Sequence, residues 1–599
     1  MSTSTATAYK NSVAGHLSFG APKCEKAQKS SGFWANCTYR LCIKDNALID
    51  PCMGSGHILI YAFDVFMEIY RSIGYTDRNA VAEILQKNLY GLEIDDRAKQ
   101  LAYFAIMMKA RSHDRRFFSR GITPNLCSIQ DSDNIKEDYL SLFGKLNFTA
   151  KQLVDEFRQA KEYGSILNLS ITADKIAELE SKYEEIENTE YFDFFDIEKQ
   201  EKLKKYFPAL IKQAKIMIRK YDIVCTNPPY AGNSSFNNQL KTYIQKHYPD
   251  SKADLFAVFM EKCNDYTNPK CYTAMITMHS WMFLSSFEKL RKKVECNTTI
   301  SMAHFGARAF DEISGEVVQT TAFVTQKEHI PNYNGTYKRL ITQKNETEKK
   351  EALKTTKYDY VANSDNFSKI PSSPVAYWVS KNVFNSYNNP CLDEIAKPRH
   401  GLATSDNNRF LKLWYEVDIN KTSLKIRSDY SKKWFPMNKG GSYRRWYGNL
   451  DWVINYENNG QELKEFAISI YKCSTRTIQN TQFYFKKSIT WSALTSGNFS
   501  VRWSDEGALF GSGGYCAFTD ENIENYITAL LNNKVASLFL NLVSPTLNYE
   551  VGHIKSIPII LDLNQKSSID NLTQKNIAIS KKDWDSFETS WDFERNPLI

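Results

Sequence analysis

Strand-like apolar runs alternate with helix-like amphipathic runs through the first half of the chain. Between residues 47 and 112 this alternation is carried by "ALID", "HILIYAFDVFMEIYRSI", "NLYGLEID" and "RAKQLAYFAIMMKARS". It resumes after residue 217 with "YDIVCTN", "ADLFAVFMEKCNDY", "YTAMITMH", "LSSFEKLRKKV", "TISMAHF" and "VVQTTAFVTQ". Strands that are separated by helices pair in parallel, and the helices cover both faces of the sheet. The sequence therefore predicts an α/β protein with a parallel, doubly wound, Rossmann-like sheet.

The composition changes along the 599 residues, a length that suits two or three domains. Residues 1–40 are rich in Ser, Thr, Ala and Lys without periodicity, so we expect a poorly ordered segment there. The sheet domain is expected at residues 41–330, with a charged, helix-forming insertion at about 132–217. Residues 335–599 are rich in Trp, Tyr, Asn, Gly and Ser, which favours a second, mixed α/β domain with long loops.

The chain lacks the patterns that mark membrane, secreted and zinc-binding proteins. It has no run of 18 apolar residues, and its start lacks the basic-then-apolar layout of a secretory signal. Its 12 cysteines include no CxxC pair and no Cys/His cluster at zinc spacing, which indicates reduced thiols. We therefore expect a cytoplasmic protein without a membrane span or a metal site.

Positive charge is concentrated in one stretch, from Lys397 to Tyr447. This stretch has twelve basic and four acidic residues, and that excess equals the net charge of +8 of the whole chain. Aromatic residues are interleaved with the basic ones, namely Phe410, Trp414, Tyr415, Tyr430, Trp434, Phe435, Tyr443, Trp446 and Tyr447. Such a pattern is typical of a nucleic-acid surface, but it also fits a solvated basic face beside a local core.

A glycine turn follows the first predicted strand, in "LIDPCMGSGHIL". Asp50 stands at the strand end, and Gly54 and Gly56 allow a tight bend and a close ligand approach before a helix begins. The next strand ends in acids, with Glu93 first, and an acid at that place can bind a ribose diol. The two features together predict a ligand that contains adenosine.

The spacing of the turn argues against NAD as that ligand. The dinucleotide fingerprint needs a third glycine, where this chain has Leu59, and an acid about 20 residues later. The D-P-x-x-G-S-G form instead resembles the S-adenosylmethionine turn of methyltransferases. That cofactor has no pyrophosphate, so a third glycine is not needed.

A later strand ends abruptly in "IVCTNPPYAG", with Asn227, Pro228, Pro229 and Tyr230 at its tip. Open α/β sheets bind their ligands at the carboxyl ends of the strands, so this tip is expected beside the glycine turn. In this order, "DPCMGSG" and "NPPY" resemble the amino-group DNA methyltransferases. The resemblance implies that the target is an exocyclic amine such as adenine N6.

The chemistry of that amine explains the residue types. Its lone pair is delocalised into the ring, so the enzyme must make the nitrogen nucleophilic. If Asn227 Oδ1 and the Pro228 carbonyl each accept one N6 hydrogen, the lone pair is directed at the methyl group. The prolines fix the backbone, and Tyr230 offers a ring for an extruded base.

The resemblance also implies roles for residues outside the tetrapeptide. The methionine half of the cofactor falls to Asp50 and the turn, and the ribose to Glu93. Asp131 is the expected contact of the cofactor adenine, and Phe310 the aromatic side chain against the flipped base; a core Phe is the alternative for Phe310. The implied cofactor-binding set is Asp50, Pro51, Gly54, Ser55, Gly56, Glu93 and Asp131.

Longer segments are similar to the PglX adenine-specific methyltransferases of bacteriophage-exclusion (BREX) systems, over roughly residues 45–565. They include "LYGLEIDDRAKQLAYFAIMMKAR", "DIVCTNPPY", "SPVAYWVS" and "LNYEVGHIKSIPI". This resemblance implies N6-adenine methylation of double-stranded host DNA, companion proteins of the same system, and a target recognition domain that includes "HGLATSDNNRFLKLWYEV". It favours DNA as the partner of the basic stretch, with Arg399, Arg409, Lys412, Arg444 and Arg445 as phosphate or guanine contacts.

The chain departs from the family pattern before the glycine turn. The family has a long helical region and a Phe-Thr-Pro-like motif there, whereas this sequence has about forty unpatterned residues. We therefore expect a truncated or split product that binds cofactor weakly or needs a second chain. Two alternatives stay open: a noncatalytic or partner-dependent DNA-binding subunit, and a protein glutamine N-methyltransferase. A nuclease signature is not seen.

Overall fold

In the computed structural model of the protein, the described residues are 46–309, 318–424, 429–495, 497–543 and 548–598. The chain divides after Asp365 into two compact units, called here the first unit and the second unit. Among the described residues, every helix is too short or too polar to cross a lipid bilayer.

The first unit is built on a nine-stranded sheet. Its strands are β1 (Leu48–Asp50), β2 (Leu89–Glu93), β3 (Asn125–Ser128), β4 (Tyr221–Thr226), β5 (Thr267–Met278), β6 (Thr298–Gly306), β7 (Thr320–Gln326), β8 (Asn334–Arg339) and β9 (Asp359–Asn363). They lie in the order β3-β2-β1-β4-β5-β7-β6-β8-β9. Strands β1 to β5 pair in parallel, which confirms the predicted Rossmann-like sheet. The parallel prediction is wrong for β7, which is antiparallel to both β5 and β6, and β9 is antiparallel to β8.

Eleven α-helices accompany this sheet within the described residues. They are α1 (His57–Ser72), α2 (Asp77–Glu83), α3 (Asp96–His113), α4 (Asn147–Glu156), α5 (Ala160–Tyr163), α6 (Ala173–Asn188), α7 (Phe194–Ile218), α8 (Asn238–His247), α9 (Leu255–Tyr266), α10 (Glu288–Val294) and α11 (Glu346–Leu353). Helix α1 buries Leu59, Phe63, Phe66, Met67 and Tyr70, which recur every three or four residues and so share one face. This face packs against β1, β2 and α3 and holds the glycine turn against the sheet.

The chain between β3 and β4 is helical, where the sequence predicts an insertion. Its short segment 164–168 returns to the sheet and is fixed by three buried side chains. The Tyr266 hydroxyl donates to the Ser165 carbonyl (2.9 Å), the Tyr248 hydroxyl to the Ile166 carbonyl (2.7 Å), and Lys262 Nζ to the Leu167 carbonyl (2.8 Å). The Ser165 hydroxyl then donates to the Pro51 carbonyl (2.6 Å). The insertion is therefore bonded to the first residue of the glycine turn.

The sheet continues beyond residue 330, since β8 pairs with β6 and β9 with β8. The expected start of the second domain at residue 335 thus falls inside β8, and the second compact unit begins at Asn366.

The second unit contains two four-stranded sheets. Their strands are β10 (Lys397–Arg399), β11 (Leu411–Leu413), β12 (Trp434–Asn438), β13 (Trp452–Asn455), β14 (Ser488–Ser492), β15 (Val501–Ser504), β16 (Leu509–Phe510) and β17 (Gly514–Phe518). One sheet has the order β10-β17-β14-β15 and the other the order β11-β13-β12-β16. The helices are α12 (Lys381–Ser386), α13 (Leu392–Ile395), α14 (Asn407–Phe410), α15 (Glu457–Tyr471), α16 (Glu524–Leu531), α17 (Lys534–Val543), α18 (Val551–Lys555) and α19 (Lys566–Trp584).

Candidate active site

The carboxyl ends of three adjacent parallel strands bring the strongest sequence candidates to one edge of the sheet. Asp50 ends β1 and is paired with Gly91 of β2, two residues before Glu93. Strand β4 pairs with β1 on its other side and is followed directly by Asn227. Neighbouring parallel strands end at the same edge, so residues that are 177 positions apart in sequence become neighbours.

The glycine turn needs its two glycines for different reasons. Both have left-handed backbone angles, with φ of 52° at Gly54 and 86° at Gly56. A Cβ at Gly56 would lie 2.9 Å from the Ala102 Cβ of α3, whereas a Cβ at Gly54 would have no heavy atom within 4 Å. Gly56 therefore allows α3 to pack closely, and Gly54 leaves open space above the turn.

Glu93 connects the turn to β2 through its carboxylate. One oxygen, Oε2, accepts a hydrogen bond from the Gly54 amide (2.7 Å). The other, Oε1, accepts from the amides of Ile94 (2.8 Å) and Asp95 (3.1 Å). A second backbone bond runs from the Met53 amide to the Leu92 carbonyl (3.0 Å). Glu93, the candidate ribose-binding residue, is thus held in place by the glycine turn.

Asp50 is fully buried and connects the two motifs. Its Oδ1 accepts hydrogen bonds from the Thr226 hydroxyl (2.7 Å) and the Cys52 amide (3.0 Å), while Oδ2 has no partner among the described residues. Burial raises the pKa of Asp50 from 3.8 to about 7. Because buried polar atoms are nearly always hydrogen-bonded, Oδ2 is an acceptor that a bound donor would complete.

The NPPY segment follows at once from Thr226. Pro228 is buried, Pro229 is exposed, and Asn227 and Tyr230 are half-buried. The Tyr230 hydroxyl lies 3.0 Å from Asn227 Oδ1, to which it donates, and 3.3 Å from the Ile276 carbonyl. Its ring meets Phe256 edge-on, at a centroid distance of 6.3 Å, and burial raises the pKa of Tyr230. Tyr230 therefore orients the Asn227 side chain; stacking of its ring on a base stays a prediction.

The segment after Tyr230 is anchored to α9. Asp254, the residue before this helix, accepts through Oδ1 from the amides of Ala231 (3.2 Å) and Phe256 (3.3 Å). The Leu255 amide donates to the Ala231 carbonyl (2.9 Å). Both ends of the tetrapeptide are therefore fixed, by Thr226 before it and by Asp254 after it. Neither residue was among the sequence candidates, although an Asp before a helix is a recognisable cap.

The remaining sequence candidates of the first unit are Asp131 and Phe310. Asp131 Oδ1 accepts from the Lys161 amide (2.8 Å) at the start of α5, so its contact with an adenine stays a prediction. Gln130, which the sequence reasoning missed, donates through Nε2 to Asp96 Oδ1 (2.6 Å) and Ser128 Oγ (3.0 Å) at the end of β3. Phe310 lies outside the described residues.

The five basic candidates of the second unit fall into two groups. Arg409 is paired with Glu462 (2.8 Å) and Arg444 with Asp583 (3.1 Å). Arg399 lies over the Phe483 ring, 5.5 Å from its centroid. Within the described part of the second unit, Arg399, Lys412 and the exposed Arg445 have no carboxylate partner, and Arg445 lies over the Tyr443 ring, 5.8 Å from its centroid.

The interleaved aromatic residues differ in their exposure to solvent. Phe410, Phe435 and Tyr447 are buried core residues. For these three, the alternative of a local core beside a solvated basic face is supported. Tyr415, Tyr430 and Tyr443 are exposed. The basic stretch is therefore partly core and partly a basic, aromatic surface.

Comparisons with known proteins agree on what this chain is similar to. The family model described as Eco57I restriction-modification methylase matches residues 87–310. The adenine-specific methyltransferase PglX of Lacticaseibacillus casei (strain Zhang) is 39% identical over 578 residues, which are 93% of this chain and 47% of the relative. The adenine-specific methyltransferase BrxX of Escherichia coli O9:H4 (strain HS) is 37% identical over 586 residues, 92% of this chain and 47% of the relative.

The chain thus spans about half the length of the curated relatives that it matches. Among solved structures, the Type IIL restriction-modification enzyme MmeI in complex with DNA aligns with a TM-score of 0.49 and 11% identity, covering 93% of this chain and 68% of MmeI. The resemblance to PglX methyltransferases that the sequence predicts is confirmed by the two curated relatives.

Proposed function

The chain is a relative of the PglX and BrxX adenine-specific methyltransferases, and from this premise we propose that it transfers a methyl group from S-adenosylmethionine to adenine N6 in double-stranded DNA. We also propose that the methyl mark distinguishes host DNA in phage defence, together with other proteins of the exclusion system. The observation that carries the proposal is the Asp50–Thr226 hydrogen bond of 2.7 Å. It joins the glycine-turn strand to the strand that presents Asn227.

The residues of the glycine turn fit the proposed cofactor. Asp50 Oδ2 is a buried acceptor without a partner among the described residues, as a group that holds the methionine end requires. Gly54 leaves open space for close approach, and Glu93 Oε2, which accepts one hydrogen bond, keeps a second lone pair for a ribose hydroxyl. The cofactor would supply an electrophilic methyl group on a sulfonium.

Asn227 and Pro228 would make the adenine amine nucleophilic. Asn227 Oδ1 and the Pro228 carbonyl accept the two N6 hydrogens and hold the nitrogen with its lone pair toward the methyl group. The new bond would join N6 to the methyl carbon while the carbon–sulfur bond breaks with its electrons on sulfur, and N6 would then lose one proton to solvent water. Tyr230 supports this geometry through its hydrogen bond to Asn227 Oδ1.

Methyl transfer from labelled S-adenosylmethionine to host genomic DNA tests the proposal. We expect Asn227→Ala to lower the rate by about 10²-fold or more, as removal of a transition-state hydrogen-bonding group does. Asn564→Ala is the matched control, since Asn564 is an exposed residue of the second unit. It should transfer at the wild-type rate.

Other outcomes identify the alternatives. Label in protein but not in DNA would support a glutamine N-methyltransferase. Salt-sensitive DNA binding without any methyl transfer would support a noncatalytic or partner-dependent DNA-binding subunit. Sequencing of the product DNA for modified adenine identifies the methylated site.

A further inference from the structure

Behind the NPPY segment, the chain leaves the edge of the sheet and later returns to the same point. Gly232, two residues after Tyr230, forms an antiparallel bridge with Asp254. Between these two bridged residues lies helix α8 (Asn238–His247). Helix α8 is therefore part of a loop whose two ends are joined next to the segment that presents the candidate catalytic residues.

Helix α8 is also attached to the insertion. The Tyr243 hydroxyl accepts a hydrogen bond from the Asn168 amide (2.8 Å), in the segment 164–168 that bonds the glycine turn. The Asn237 side chain, just before the helix, donates to Glu162 Oε2 (2.6 Å). Helix α8 is thus tied to both motifs of the candidate active site, directly to the NPPY segment and through the insertion to the glycine turn.

The rest of the helix surface faces solvent and has no carboxylate of its own. The sequence of α8, "NQLKTYIQKH", contains neither Asp nor Glu. Among the described residues, neither Lys241 nor Lys246 has a carboxylate partner. Each exposed polar side chain of the helix can donate a hydrogen bond. The exposed side chains include those of Asn238, Gln239, Lys241, Gln245, Lys246 and His247.

The two lysines lie on either side of a row of neutral donors. At about 3.6 residues per turn, Asn238, Thr242 and Gln245 follow one another along one face, with Lys241 on one side and Lys246 on the other. A lysine in the last turn stabilises a helix by complementing its dipole, which is sufficient to explain Lys246. It does not explain Lys241, which lies in the first half of α8.

We propose that the exposed face of α8 binds the backbone phosphates of DNA beside the flipped adenine, an inference that rests on the proposed DNA methyltransferase function. An adenine that reaches Asn227 stays linked to its own sugar and phosphates, so these must pass close to the NPPY segment. Phosphates are anions that only accept hydrogen bonds, and a face of donors and cations without carboxylates is complementary to them. This face belongs to the first unit, apart from the basic stretch of the second unit.

DNA binding at a series of salt concentrations tests the face. We expect the double variant Lys241→Gln/Lys246→Gln to bind a duplex at least about tenfold more weakly at low salt, with a slope of log K against log salt that falls by about 1.8, the effect of two lost phosphate contacts. The matched control is Lys175→Gln/Lys182→Gln, which removes two lysines from the acidic helix α6. The control should keep the wild-type slope, and both variants should keep the wild-type Tm.

Two further measurements separate phosphate contacts from other roles. Phosphate contacts carry no sequence information, so the double variant should lose the same affinity for a host duplex and for a duplex of unrelated sequence. In methyl-transfer assays, the variant should have a raised KM for DNA and an unchanged kcat, because α8 would hold the backbone and not the reacting atoms.

Three results would overturn the inference. The first is a wild-type salt slope in the α8 variant. The second is an equal loss of slope in the α6 control, which would make the effect one of net charge. The third is a loss of affinity for the host duplex alone, which would assign base contacts to α8.

The same experiments distinguish failure of the inference from failure of the proposed function. If the wild type methylates DNA and the α8 variant keeps its slope, only the inference fails. If the wild type binds DNA but transfers no methyl group, the proposed function fails, while the salt slopes still decide whether α8 binds phosphates. A wild type that binds no DNA would contradict both.

Discussion

At the scale of single residues, the hydroxyl of Tyr230 and the side chain of Asn227 share one acceptor. Asn227 Oδ1 accepts from Tyr230 (3.0 Å) and is also the oxygen that the proposed reaction assigns to adenine N6. A carboxamide oxygen has two lone pairs, so it can accept both hydrogen bonds. Tyr230 therefore has two separable parts: a hydroxyl that orients Asn227 and a ring that remains available for packing.

Substitution of Tyr230 separates these parts. Tyr230→Phe removes only the hydroxyl, and we expect kcat to fall about fivefold, because a neutral hydrogen bond is worth about 1 kcal/mol. The KM for DNA should stay unchanged. Tyr230→Ala removes the ring as well and should also weaken DNA binding. Steady-state kinetics of both variants measure the difference, and an undiminished kcat in Tyr230→Phe would show that the hydroxyl does not orient Asn227.

Asp50 makes stability depend on pH. Its pKa is raised to about 7, whereas in the unfolded chain it ionises near the ordinary value of 3.8. At pH values between 3.8 and about 7, the folded protein holds a proton on Asp50 that the unfolded chain has lost. The stability that protonated Asp50 contributes is thus fully present below about pH 4 and is lost as pH rises to about 7.

We expect wild type to lose stability relative to Asp50→Asn as pH rises through this window, by at most about 1.4 kcal/mol per pH unit. Chemical unfolding of both proteins between pH 5 and 8 measures the effect. Asp133→Asn, a change at an exposed carboxyl group, should follow the wild-type curve. A parallel pH dependence in wild type and Asp50→Asn would contradict the assignment.

At the scale of elements, the two glycines of the turn should respond differently to the same substitution. Gly56→Ala places a Cβ 2.9 Å from the Ala102 Cβ and requires left-handed backbone at an alanine. We expect it to lower the free energy of unfolding by about 2–4 kcal/mol, from backbone strain and overpacking together. Thermal and chemical unfolding measure this loss.

Gly54→Ala is the matched change in the open part of the turn. It meets no heavy atom within 4 Å, so only the backbone cost of about 1–2 kcal/mol applies. Its main effect should be weaker cofactor binding, measured by calorimetry with S-adenosylhomocysteine. Equal stability losses in the two variants would show that contact with α3 is unimportant at Gly56.

The elements differ in how far sequence predicts them. The βα alternation predicts β1, β2, β4 and β5 and their parallel pairing, and hence the meeting of Asp50, Glu93 and Asn227 at one edge. Strand β3 is not among the predicted strands. The parallel prediction fails for β7, because an apolar period reports burial and is the same for both strand directions. Strand β8, "NGTYKR", alternates weakly and is polar, so the pattern gives no sign that the sheet continues there.

At the scale of the whole molecule, the basic stretch shows that a local sequence pattern does not contain the ion-pair partners of its cations. The partners of Arg409 and Arg444 lie 53 and 139 residues away in sequence, so their neutralisation is visible only in the folded chain. Likewise, Arg502 lies outside the basic stretch in sequence, but the residues on either side of it exchange backbone hydrogen bonds with Trp446 of that stretch. A charge count predicts which region is basic, whereas the fold decides which of its cations are free to bind an anion.

The hydrogen bond from Ser165 to the Pro51 carbonyl bears on how the relatives of this protein can be recombined. The insertion that carries Ser165 looks like a separable module, since it lies between two strands and is charged and helical. Its return segment is nonetheless bonded to the backbone of the glycine turn (2.6 Å). A chimera that exchanged residues 132–217 would replace part of the support of the turn, so grafts between relatives must carry a hydroxyl at position 165 along with the helices.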